Sequence, residues 1–174
     1  MALVHLHVHS EYSLLDGACR LKKLVETAKA QGAQAIAVTD HGAMYAAVDF
    51  YKLAKAQGIK PIIGCEVYVA PRTRFDKTPE LDRESRHMVL LCENNTGYQN
   101  LIQIVSQAWT EGFYNKARVD DSLLQKHHEG LICLSACLAG ELPRRLLNGD
   151  YEGAKQKALY YQSVFGKGNY YIEL

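Results

Sequence analysis

The chain has 174 residues, 48% of them hydrophobic, and a formal net charge of +1, which suits one domain with its own core and excludes capture of nucleic acid by overall charge alone. No apolar run reaches the roughly 18 residues that would cross a membrane, and no charged-then-apolar leader opens the chain. The five cysteines are scattered, odd in number and without a C-x-x-C, the pattern of reduced thiols in a cytoplasmic protein.

Leu3 to Val8 reads as a strand, with histidine at positions 5, 7 and 9. Strand alternation sets His7 and His9 on one face, where two imidazoles can meet one cation, since a Zn–N bond is only about 2.0–2.1 Å. A polar loop then delivers Asp16 just before Gly17. The spacing of Leu21, Leu24, Val25 and Ala28 predicts a helix over 21–31, stopped by Gly32. Residues 35–39 are continuously apolar, as a buried parallel strand should be, and end on Thr39-Asp40-His41-Gly42. A helix over 44–57 and a strand from Pro61 to Ala70 follow, the latter carrying Gly64-Cys65-Glu66. This β-α-β-α-β order implies parallel strands with crossover helices. The charged segment 72–86 reads as a long exposed loop. Next come a strand over 87–92, a helix over 97–109 capped by Thr96, an irregular aromatic stretch over 111–119, a short helix over 123–127 and a strand over 131–134 that leads into Ser135-Ala136-Cys137. Helices over 140–147 and 151–165 and a strand over 170–174 complete the chain. Cys19, Cys92 and Cys133 read as core, and so does the tyrosine-rich tail. His5 reads as packing or as a support behind the ligands, and His127 and His128 as surface. Ligand-type side chains thus recur at the ends of successive strands.

H-x-H, D-G, T-D-H-G and G-C-E in this order resemble the polymerase and histidinol phosphatase (PHP) superfamily of metal-dependent phosphoesterases. The segments 58–69, 95–101, 111–114 and 134–141 are similar to the PHP domain of bacterial DNA polymerase III alpha subunits. The resemblance implies an α/β fold, a distorted (βα)7 barrel of which residues 1–174 supply about six strands, so the chain is expected to be part of a longer polypeptide. It also implies up to three divalent ions (zinc, manganese or iron, with magnesium at a separate polymerase site). His7, His9 and Glu66 would hold one; Glu66, His87 and Cys137 a second; Asp16 and His41 a third. Asp40 is expected behind the ligands, holding an imidazole in its tautomer. Two further family ligands belong to a later D-x-H motif, which this sequence lacks. The implied activity is metal-assisted phosphodiester hydrolysis at the 3′ end of a DNA primer-template, with His7, His9 and Glu66 acting through the metal. The implied partners are the rest of the polymerase chain, the sliding clamp and a proofreading exonuclease subunit. The competing readings are a free-standing phosphatase of the histidinol-phosphate type, and a non-catalytic module that docks the proofreading subunit.

Overall fold

The structure, a computed structural model, describes residues 3–14 and 16–174; Leu15, in the histidine-rich opening stretch, and the first two residues lie outside that description. Along the chain run α1 (Leu21–Ala30), β1 (Ala35–Val38), α2 (Ala47–Gln57), β2 (Lys60–Val69), α3 (Pro79–Asp82), β3 (Arg86–Cys92), α4 (Asn95–Thr110), β4 (Arg118–Val119), α5 (Asp121–His127), β5 (Leu131–Leu134), α6 (Glu141–Leu147), α7 (Tyr151–Phe165) and β6 (Tyr170–Tyr171). The strands form one sheet in the order β1-β2-β3-β5-β6, with β4 beside β2. β1 and β2 are parallel, joined through α2 as the sequence pattern requires. β3 runs antiparallel to both β2 and β5.

Side chains alternate across this sheet. Cys65, Val67 and Val69 of β2, Met88 and Leu90 of β3, and Leu131 and Cys133 of β5 pack against α4, α5 and α7. A second apolar layer joins α1 and α2 to β1. The opposite face carries Ala37, Val89, Leu91 and Leu134. With a period of two, Glu66, Tyr68 and His87 share that inner face.

Three expectations need correction. Residues 3–8 form no regular strand. Ala37 N–H donates to the His5 carbonyl and Thr39 N–H to the Val8 carbonyl, so three residues advance on one side against two on the other. The Val8 N–H is taken by the Thr39 hydroxyl at 2.8 Å instead of a backbone carbonyl. The extra residue acts as a bulge and re-aims the side chains beside it. The helix cap is Asn94, not Thr96: its side chain accepts from the Gly97 N–H at 3.0 Å.

The charged segment 72–86 is pinned rather than merely solvated. The buried Asp82 carboxylate takes two bonds from Arg72 and one from the Thr78 N–H. These donors hold its pKa down at about 2, the Arg72 guanidinium foremost. Arg118, 1% exposed, donates to the carbonyls of Gly112, Asp82, Arg74 and Asp76. Arg74 pairs with Glu111 and Asp120. Most of the segment is exposed, as the mixed signs suggested, including Lys77, Glu80 and Arg83, while Arg72, Arg74 and Asp82 find partners within the molecule.

Two smaller expectations also change. Cys19 is exposed and not core, its carbonyl pairing with the Glu11 N–H; all five cysteines are free thiols. His5 turns its side chain to solvent.

Candidate metal centre

The antiparallel course of β3 decides the geometry of the site. His87 opens its strand, whereas Glu66 lies well along β2. Because β3 is reversed, Tyr68 pairs with His87 and Glu66 with Val89, so the start of one strand and the far half of the other share one rim of the sheet. The bridge between His41 and Glu66 brings the turn after β1 to the same rim. Cys137 arrives from the turn after β5, where Ala136 has φ 62°, a left-handed conformation that costs a non-glycine residue energy and is held here by burial.

At the centre stands Glu66, 1% exposed. Its Oε2 lies 2.9 Å from His7 Nε2 and 3.8 Å from His9 Nε2; its Oε1 lies 2.6 Å from His41 Nδ1 and 2.9 Å from His87 Nδ1. His9 and His41 stack with ring centroids 4.0 Å apart. The other ring nitrogen of His41 sits 2.8 Å from Asp16 Oδ2. Two triads have all their ligand atoms within 4.8 Å of one another: His7, His9 and Glu66, and Glu66, His87 and Cys137. Glu66 is common to both. His41, held between Glu66 and Asp16, joins no such triad among the described residues.

Four imidazoles converge on the two oxygens of one carboxylate, and not all of them bond to it. His87 Nδ1, though close, is off hydrogen-bond geometry and is buried without a partner. An orphaned buried nitrogen of this kind costs on the order of 1–3 kcal/mol. Nitrogen, oxygen and sulfur donors crowded on one buried carboxylate are what cations accept, so the residues fit the ions that the resemblance implies.

The charges follow from the same geometry. Burial alone would raise the Glu66 pKa, but the hydrogen bonds with His41 and His7 and the close His87 imidazole outweigh it and hold the carboxyl well below its usual range. Burial would lower His7, yet the bonds to Glu173 and Glu66 prevail and push it up to about 10. His41 is raised, chiefly by Glu66. His9 is lowered by burial and then by the neighbouring His41, which favours the neutral imidazole. Its Nδ1 donates to the Thr39 carbonyl at 2.9 Å, leaving Nε2 with its lone pair toward Glu66.

All seven side chains singled out as candidate ligands (His7, His9, Asp16, His41, Glu66, His87 and Cys137) gather at this rim. Asp40 does not hold an imidazole. Its carboxylate accepts from the Ser10 N–H, the Ser10 hydroxyl and the Ser13 hydroxyl at 2.6–2.7 Å and so clamps the loop between His9 and Asp16. The supporting role falls to two groups the sequence reading passed over. One is the Thr39 carbonyl, which no side-chain motif could reveal. The other is Glu173, whose Oε1 lies 2.8 Å from His7 Nδ1; its only signal was a carboxylate at the end of the last strand.

A model of the family described as "PHP domain" matches residues 5–174. The chain belongs to the PHP domain family. It is 54% identical over 175 residues to the DNA polymerase III subunit alpha of Treponema pallidum, covering 100% of this chain and 15% of that one. The corresponding subunit of Borreliella burgdorferi is 46% identical over 172 residues, covering 98% and 15%. That of Thermus aquaticus is 43% identical over 178 residues, covering 100% and 14%. The chain thus spans about 15% of the length of the first two of these relatives. None of its helices is long and apolar enough, among the described residues, to cross a membrane.

Proposed function

We propose that this chain is the PHP domain of a bacterial replicative DNA polymerase III alpha subunit and that its Glu66-centred cluster binds divalent cations to hydrolyse phosphodiesters, with the 3′ end of a DNA strand as substrate. One observation carries the reading: a single buried carboxylate shared by two triads of metal-type ligands, as in sites that clamp the attacking and leaving oxygens of a phosphoryl group. When bound, the cations activate water and neutralise charge that builds on the phosphoryl oxygens.

The chain's own residues do the rest. Glu66 bridges the two triads. His9 is presented neutral by the Thr39 carbonyl, and His7 is oriented by Glu173. The Cys137 sulfur favours zinc in its triad, while the histidine and carboxylate triad suits manganese or iron equally. The remainder of the polymerase chain, the clamp and the proofreading subunit are the partners that the similarity to alpha subunits suggests, in the cytoplasm where replication takes place.

The test uses the full-length polypeptide and a 3′-labelled oligodeoxynucleotide. Removal of metal with a chelator should stop release of labelled nucleotide, and manganese or zinc should restore it. His9→Ala should lower the rate at least about 100-fold, since it removes a ligand rather than a supporting group. Equal rates for the variant and the wild type would contradict the reading.

A further inference from the structure

Lys116 stands at the edge of the cluster. Its ammonium lies 4.1 Å from the centre of the Tyr68 ring. The other neighbours of that ring are the His87 imidazole, at 5.1 Å between centroids, and His41, stacked at 6.2 Å. Tyr68 itself shares the inner face with Glu66, two residues along the strand. One aromatic ring therefore neighbours both the lysine and two of the cluster's imidazoles.

The position is built. Asn115 has φ 60°, a region that L-residues other than glycine rarely enter, and the Tyr114 N–H donates to the Lys116 carbonyl at 3.0 Å, closing a tight turn with the lysine at its end. The turn is fixed on both sides. Ahead of it, the Trp109 indole donates to the Gly42 carbonyl at 2.8 Å, next to His41. Behind it, Ala117 and Arg118 are buried, and the Arg118 guanidinium lies against the Tyr114 ring.

The arginines nearby are committed: Arg72 to Asp82, Arg74 to Asp120 and Glu111, and Arg118 to backbone carbonyls. Among the described residues Lys116 has no carboxylate within ion-pair distance, although it is exposed and could reach solvent in many rotamers. An ammonium held over an aromatic face keeps donors for a further partner on the side away from the ring.

We propose that Lys116 binds the phosphate next to the one being cleaved and so makes the site select a nucleotide chain over a small phosphoester. This rests on the hydrolytic reading above for its substrate. The scissile phosphate belongs to the metal cluster. Lys116 shares the Tyr68 ring with two of the cluster's imidazoles, and the next phosphate along a bound strand is assigned to it. Loss of that contact weakens binding of an oligonucleotide and leaves a substrate with one phosphodiester untouched. Lys116 is a positioning and specificity residue, since it touches neither the cations nor the reacting atoms.

Two measurements on the full-length polypeptide test this. In the first, exposed lysines are acetylated with acetic anhydride, with and without saturating tetrathymidylate carrying phosphorothioate linkages, and peptide masses report each site. Lys116 should be protected several-fold while Lys55, exposed on α2, is unaffected; equal labelling of Lys116 in both conditions overturns the inference, whether or not hydrolysis is found. In the second, Lys116→Met should raise KM for the oligonucleotide about tenfold with kcat and metal content unchanged, and should flatten the salt dependence of binding by about 0.7 in log–log slope, the share of one single-strand phosphate. Lys116→Arg should restore most of the affinity. Thymidine 5′-p-nitrophenyl phosphate, with a single phosphodiester, should be cleaved equally by all three proteins. Equal losses on both substrates would assign the lysine to folding or to metal binding. Protection of Lys116 without any hydrolysis would leave the phosphate site standing and remove the hydrolytic reading alone.

Discussion

At the scale of single residues the site is a problem of tautomers. An imidazole ligates through one nitrogen only if its proton is held on the other. His9 meets this condition through the Thr39 carbonyl, and His7 through Glu173. Glu173→Gln keeps the shape of the side chain but can no longer accept from His7 as a carboxylate. It should weaken metal binding by about 10–100-fold while the fold holds, as read by competition with a chromophoric chelator; unchanged affinity would reduce Glu173 to a surface contact. His7, His9, Asp16, His41 and Glu66 were legible because histidine and carboxylate recur near strand ends whatever the register, whereas His87 and Cys137 were reached only through the family resemblance. Their supports were not legible. Thr39 acts through its backbone, and Asp40 could be placed near the site from its neighbours but not assigned to Ser10 and Ser13, because that choice depends on how the loop closes in three dimensions.

At the scale of elements, the direction of β3 matters most. A strand that opens on a ligand looks misplaced while every strand is taken as parallel; once it is reversed, His87 comes level with Tyr68 and beside Glu66. No residue within 86–92 encodes that reversal. It comes from the connection over 70–85, which returns the chain to the rim it left instead of crossing over by a helix. That connection is held by Arg118, whose guanidinium serves four carbonyls from a position 1% exposed. Arg118→Met fills much of the volume but leaves those carbonyls without their donor. We expect a loss of about 2–4 kcal/mol in urea unfolding and faster proteolysis within 72–86, and a change below about 0.5 kcal/mol would show that water replaces the guanidinium at little cost. The helices other than the short α3, which falls within the segment read as a loop, and β5 were legible from periodicity and length. The irregular opening segment was not, because a threonine hydroxyl substitutes for a backbone acceptor.

At the scale of the whole molecule, the sheet brings its two ends together. The segment 3–8 lies along β1, the residues after β6 lie at the other edge, and the His7–Glu173 contact joins them. Leu3 to His7 and Tyr171 to Leu174 face a common cleft of about 800 Å³. Protons and cations compete at this junction. Without metal, the raised pKa of His7 contributes stability that is complete below its unfolded value of about 6.5 and is lost as pH rises through about 10. Cation binding needs the neutral ring, so it must expel that proton and grows stronger as pH rises. The chelated protein should therefore become easier to unfold from pH 6.5 to 9, while the loaded protein should not.

The most direct test of a shared cation cluster at Glu66 is calorimetric titration of the chelated full-length protein with manganese or zinc at pH 8, in two buffers of different ionisation enthalpy. Uptake of at least two ions with net proton release, sharply weakened in Glu66→Gln, is the predicted result. No uptake, or uptake that Glu66→Gln leaves unchanged, would contradict the account.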